Sequence, residues 1–151
     1  MNGQSIPNLD SSSTLLGSID YFNKKPLKKV SKAFLLHEET GTLLEISGRK
    51  NRFYLGKVNP KVTVDLDLSH LPDAEIVSRV HAIIYVEKDG FYLEDAGSLN
   101  GTYLNGENLQ SGRKKLKSGD RITLGYYRAI NLLFEIESAH PPQYTFKSLA
   151  N

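Results

Sequence analysis

The sequence predicts an all-β fold, a two-sheet β-sandwich with flexible N- and C-terminal tails. Three observations predict it. From Ala33 onward the chain runs in short β-like segments separated by turn residues. Asp89-Gly90 and Asn105-Gly106, pairs that tolerate positive φ, fall between those segments. No long helical period and no internal repeat is present, and many short strands without helices close as a sandwich or barrel.

The elements follow in order. Ala33–His37 and Leu43–Ile46 read as two strands around a turn containing Thr40-Gly41, and Arg52–Leu55 leads to Gly56. Val62–Leu66 reads as a further strand, followed by an irregular stretch, Ser69–Glu75, with Pro72. Ala82–Val86 and Phe91–Glu94 flank Asp89-Gly90 as a hairpin. Tyr103–Leu104 ends at Asn105-Gly106, Leu116 precedes Ser118-Gly119-Asp120, and Arg121–Leu124 follows. Ile130–Ile136 is almost continuously apolar, the pattern of a strand buried against a second sheet.

With 151 residues, the chain fits one domain with tails. The expected division is a flexible basic leader over 1–32, a domain over 33–137 and a tail over 138–151 that contains Pro141-Pro142. The absence of cysteine excludes disulfides and thiolate–metal sites and suits a cytoplasmic setting. No apolar run approaches the ~20 residues of a membrane span. Met1–Asp10 has no basic segment leading into an apolar one, so no secretory signal is read there. Lys24, Lys25, Lys28, Lys29 and Lys32 face only Asp10 and Asp20 in the leader, so the small net charge of +2 is concentrated there. The rest is nearly neutral, which argues against nucleic acid as partner. The leader's one apolar patch, Leu15–Phe22, is a candidate for docking on the domain or on a partner.

Gly56-Lys57, then Ser78-Arg79-Val80-His81-Ala82, then Asp95-Ala96-Gly97-Ser98-Leu99-Asn100-Gly101-Thr102-Tyr103-Leu104-Asn105-Gly106 form an ordered set. Leu116-Lys117-Ser118-Gly119-Asp120-Arg121-Ile122-Thr123-Leu124-Gly125 completes it. In order and spacing the four pieces resemble the forkhead-associated (FHA) family, with its Gly-Arg, Ser-Arg-x-His-Ala, Asp-x-x-Ser-x-Asn-Gly-Thr-x-x-Asn-Gly and Leu-x-x-Gly-Asp-x-Ile-x-Leu-Gly. The resemblance implies a sandwich of the FHA type (SMAD/FHA-like) with binding loops at one end. It also implies a non-enzymatic adaptor that needs no cofactor and no metal, and whose partner is a phosphothreonine-containing protein.

By that resemblance, Ser78 and Lys57 contact phosphate, Arg79 adds a contact beside them, and Asn100 grips the ligand main chain. Gly56 and Gly101 shape their loops, and His81 and Thr102 brace the loop that presents Ser78. The chemistry is consistent with this. A phosphothreonine carries about −1.5 to −2 charge and three acceptor oxygens, which call for convergent donors. Ser78 offers a hydroxyl, Arg79 a guanidinium, Lys57 an ammonium, and Asn100 both a donor and an acceptor.

Plainer readings stand beside these. Ser78 can be a turn serine, Arg79 a solvated charge, and Asn100-Gly101 a bare turn; Asn105-Gly106 is read as a turn. His81 reads as a hydrogen-bonded structural histidine. Two departures from the family matter. Lys57 stands where arginine is usual and loses the planar fork. Leu99 has no donor in its side chain, so any phosphate contact there must come from its N–H. These two motivate an alternative, a phosphate-independent structural or assembly factor on the same sandwich. Enzyme readings find no support. Ser98 lacks the Gly-x-Ser-x-Gly elbow, and His37-Glu38-Glu39 lacks the second histidine of a zinc helix.

Overall fold

The computed structural model describes residues 32–138. The Leu15–Phe22 patch, and nearly all of the expected leader and tail, lie outside the described residues. Among the described residues eleven strands form two sheets. In chain order they are β1 (Ala33–His37), β2 (Leu43–Ile46), β3 (Arg52–Gly56), β4 (Leu66–Asp67), β5 (Val80–Glu87) and β6 (Gly90–Asp95). Then come β7 (Thr102–Leu104), β8 (Glu107–Asn108), β9 (Arg113–Leu116), β10 (Arg121–Leu124) and β11 (Ile130–Ile136). One sheet has the order β2-β1-β11-β10-β7-β8, the other β4-β3-β5-β6-β9. Among the pairings with a defined register, β3–β4 is parallel and the others are antiparallel.

The period-two alternation dictates the packing. In β1, Ala33, Leu35 and His37 are buried while Phe34 and Leu36 are partly exposed. In β11, Ile130, Leu132 and Phe134 turn inward in the same way. Leu35, Ile122, Leu124, Leu132 and Phe134 of one sheet face Leu55, Ile84 and Leu93 of the other, all fully buried. Each such burial is worth about 1.5–3 kcal/mol. Phe91 of β6 meets Phe134 of β11 edge-on at 5.4 Å and 65°, tying the layers together. The chain enters and leaves side by side, for Glu137 N–H donates to the Lys32 carbonyl at 2.8 Å.

Three elements differ from the expectation. The strand expected over Val62–Leu66 is only Leu66–Asp67, and Val62–Asp65 is loop. β8 and β9 were not expected as strands. Arg113, Lys114 and Lys115 of β9 are all exposed, so no apolar alternation marks them. The strand forms because β6 offers a partner, with Tyr92 opposite Lys115 and Leu93 opposite Lys114. The charges then discourage pairing at the free edge. Arg113 also lies over the Tyr85 ring at 3.5 Å and pairs with Glu87 at 2.9 Å.

The Asn105-Gly106 turn has both residues at positive φ, 50° and 88°. Its asparagine does more than turn the chain. Asn105 Oδ1 accepts from Arg121 N–H at 2.9 Å, and its Nδ2 donates to the buried Asp120 carboxylate at 3.0 Å. Asp120 also accepts from Lys117 N–H at 2.8 Å, so one carboxylate joins the β7–β8 and β9–β10 turns. Asp120→Ala strands both donors and is expected to cost about 1–3 kcal/mol in urea unfolding. Asn105→Ala in the same background should add less than it costs alone, because the two share one network. Full additivity in that double-mutant cycle contradicts the network.

Candidate binding site

The loops after β3, before β5, after β6 and after β10 meet at one end of the sandwich. The junction begins at Gly56, which ends β3 where a side chain has no room. A Cβ there would sit 2.7 Å from the carbonyl carbon of Arg79 and 2.9 Å from the carbonyl oxygen of Ser78. Its absence lets the Ser78–Arg79 backbone close onto β3, and Lys57 N–H donates to the Arg79 carbonyl at 3.1 Å. Lys57 is half-buried and Arg79 exposed. Among the described residues neither cationic group has a carboxylate partner, whereas Arg113, Arg121 and Arg128 are all ion-paired.

Ser78 is held from two sides. Its N–H donates to His81 Nδ1 at 3.1 Å. Its Oγ accepts from Leu99 N–H at 3.1 Å, which leaves the hydroxyl proton without an acceptor among the described residues. The Leu99 N–H, the one donor that residue has for a phosphate, is thus engaged by Ser78, and the Leu99 side chain is 88% exposed. Asn100 Nδ2 donates to the Ile76 carbonyl at 2.8 Å, which fixes the exposed amide beside Ser78. Ile76 ends a single 3-10 turn, Ala74–Ile76, within the stretch the sequence marks as irregular.

His81 is fully buried and bridges the two loops. Because Nδ1 accepts, the proton sits on Nε2, which donates to the Gly101 carbonyl at 2.9 Å. Gly101 has φ +91°, a conformation costly for any residue with a side chain. Burial pushes the His81 pKa below its usual 6.5, against the opposing pull of the Gly101 carbonyl and of Asp95.

Asp95, singled out in the sequence only as a motif position, organises the next loop. It accepts from the Gly97 and Ser98 N–H groups at 2.9 and 3.1 Å, and from the Ser98 and Thr102 hydroxyls at 2.6 Å each. Ser98 Oγ in turn accepts from Gly101 N–H at 2.9 Å. Burial raises the Asp95 pKa, but the bonds from Ser98, Thr102 and Gly97 outweigh it and hold the carboxyl below 3.8. The signal that finds it is an Asp two and three residues before free N–H groups, an Asx turn. Thr102 is buried, facing this carboxylate. Lys57, Ser78, Arg79 and Asn100 are therefore brought together, with Gly56, His81, Gly101 and Thr102 beneath them.

The depressed His81 pKa gives a pH dependence. The unfolded chain binds the proton near pH 6.5 and the folded chain resists it, so stability is complete above pH 6.5 and falls as pH drops through it. Thermal melts of the unliganded protein from pH 7.5 to 5 should show that loss, and His81→Gln should flatten it. Asp95 titrates lower, in a separate window. A pH-independent melt across this range contradicts the neutral bridging imidazole.

The chain resembles known proteins over this same region. The profile of the FHA domain matches residues 45–125. Protein FraH of Nostoc sp. is 41% identical over 105 residues, covering 69% of this chain and 36% of FraH. Glycogen accumulation regulator GarA of Mycobacterium tuberculosis is 40% identical over 67 residues, covering 40% of each chain. The chain thus spans between a third and two-fifths of the length of these relatives. The N-terminal FHA domain of S. cerevisiae Rad53p, solved in complex with a phosphothreonine peptide, shares the fold with a TM-score of 0.57 at 22% identity, covering 80% of this chain and 99% of that one. With more than half of its residues matched by the family profile and the two-sheet architecture in common, this chain belongs to the FHA domain family.

Proposed function

We propose that residues 33–137 form a non-catalytic adaptor that binds a phosphothreonine-containing protein and so couples protein association to a kinase. The FHA domain is a family of phosphothreonine-binding modules, typically without catalytic activity. One observation carries the reading to this chain. A serine hydroxyl with its proton free lies between loops that also present two cations lacking carboxylate partners, Lys57 and Arg79. A dianion is what such a set lacks. Asn100, its amide pinned by Ile76, keeps Oδ1 for a ligand N–H. Gly56, His81, Gly101 and Thr102 serve as the support that holds these groups in place. Residues 1–32 and 138–151 flank this unit. The absence of cysteine fits a cytoplasmic setting.

A second reading keeps the sandwich but dispenses with phosphate, because Lys57 stands where the family usually has arginine. Phosphatase treatment of a captured partner separates the two. Binding collapses under the first reading and survives under the second.

The side chains make sharper predictions. Ser78→Ala removes a hydrogen bond to a charged group, worth ~1.5–3 kcal/mol, so phosphopeptide affinity should fall roughly tenfold or more with an unchanged melt. Lys57→Arg should preserve or tighten binding, since the guanidinium can fork onto phosphate. Lys57→Ala should weaken it and reduce its salt dependence, and Lys57→Glu should nearly abolish it. Isothermal titration at two salt concentrations reads all of these. If Lys57→Ala and Lys57→Glu bind the natural partner as wild type does, the phosphate reading fails.

A further inference from the structure

Asp67 is a carboxylate at the end of the molecule where an anion is expected. It closes β4 opposite Gly56, in the parallel pair with β3, and so lies beside the start of the Lys57 loop. Burial raises its pKa, yet the bonds from Ser69 and Val58 outweigh that and hold it below 3.8, so it is ionised at neutral pH. On charge alone it is out of place, because a carboxylate repels an incoming dianion.

Its bonds run to the backbone that follows Lys57. Asp67 Oδ1 accepts from the Ser69 N–H at 3.0 Å and from the Ser69 hydroxyl at 2.5 Å. With its proton committed to Asp67, the Ser69 oxygen accepts from Val58 N–H at 3.2 Å, and Asp67 Oδ1 shares the same N–H at 3.3 Å. The other peptide groups around Lys57 are tied as well. The Lys57 carbonyl accepts from Asn59 Nδ2 at 3.0 Å, and the Gly56 carbonyl accepts from Leu68 N–H at 2.8 Å. Asn59 Oδ1 takes the N–H groups of Lys61 and Val62 at 2.9 Å each, which knits the loop to itself. Asp67 and Ser69 are what join that loop to β4 at Val58. The Val58 side chain gives no anchor of its own, being 63% exposed.

We infer that Asp67 is a positioning residue, which fixes the backbone of Lys57 through Val58 so that the lysine meets the phosphothreonine phosphate from a set base. The inference rests on the phosphothreonine reading above. The need for such a device lies in lysine itself. An arginine is aimed by its planar fork, whereas an ammonium on a flexible four-carbon stem has no preferred direction. Its rotamers must be ordered on binding, and a mobile main chain would add its own ordering to that loss. Holding Val58 N–H beforehand removes the second part. The opposing effect is repulsion between Asp67 and the phosphate. Asp67 is 28% exposed, so that repulsion runs partly through solvent and is screened, and the ordering prevails.

The test uses the full chain and one phosphothreonine peptide, selected from a library on wild type, with its unphosphorylated copy alongside. Asp67→Ala should weaken phosphopeptide binding roughly threefold to tenfold, the range of one lost hydrogen bond, although it removes a negative charge. Asp67→Asn keeps an acceptor for Ser69 and Val58 and should rescue the affinity. Ser69→Ala removes the other acceptor of Val58 N–H and should give a smaller loss in the same direction, which decides the matter if Asp67→Ala does not fold. The readout that separates positioning from a general loosening is coupling to Lys57. In a Lys57→Ala background, Asp67→Ala should cost no affinity, while amide exchange at Val58 should quicken with either residue at 57. Tighter binding by Asp67→Ala, or an equal loss with and without Lys57, overturns the inference and leaves the phosphate reading intact. Equal binding of phosphorylated and unphosphorylated peptide by wild type overturns both.

Discussion

The two hydrogen bonds of His81 hold the binding end together. An imidazole has two nitrogens in one rigid plane, and here each serves a different loop. Nδ1 takes the N–H of Ser78, and Nε2–H reaches the carbonyl of Gly101. The ring thus ties the two loops from below, while the bonds from Leu99 N–H to Ser78 Oγ and from Asn100 Nδ2 to the Ile76 carbonyl join them at the surface. The arrangement works only with the neutral tautomer, since a proton on Nδ1 would point at the Ser78 N–H. Full burial supplies that neutrality, because the charged form is penalised away from water.

Around that ring the other polar groups of the site form closed sets. Asp95 collects four donors, and Ser98 both gives to Asp95 and receives from Gly101. The β7–β8 turn repeats the device with Asp120 and Asn105. In each case a carboxylate with several acceptor positions gathers loop N–H groups that no strand can satisfy. The sandwich supplies the fixed strand ends, and the carboxylates turn those ends into defined loops. Gly56 has the opposite role. It contributes nothing except the room for Arg79 and Ser78 to come close.

Much of this was legible in the sequence, and what was missed follows a pattern. The buried strands announced themselves because apolar residues alternate or run on, as in Ala33–His37 and Ile130–Ile136. The convergence of Lys57, Ser78, Arg79 and Asn100 was legible because each lies in a motif with fixed spacing. β9 was hidden because a solvated edge strand needs no apolar residue, and Arg113, Lys114 and Lys115 look like a charged loop. Val62 misled in the opposite direction. It is β-branched but 40% exposed, a loop residue that the partner strand never reaches. The Ile76 carbonyl that holds Asn100 was invisible, since a backbone acceptor carries no side-chain signature. So was Arg128, whose partners Asp73 and Glu75 lie more than fifty residues away in the chain.

The site combines fixed and free groups, and that division bears on how it would discriminate. Ser78, Leu99 N–H and the Asn100 amide are each held by an internal bond, so binding orders them no further. Among the described residues Lys57 and Arg79 have no carboxylate partner, and each is long and would surrender rotamer freedom to meet an anion. Under the reading proposed above, the fixed groups would therefore set geometry: which atom of the ligand lies where, and which main-chain direction is read. The free cations supply attraction that is tolerant of direction and weakened by salt. Under the proposed reading a lysine in place of arginine would be least damaging here, because the position would ask for charge more than for a fork.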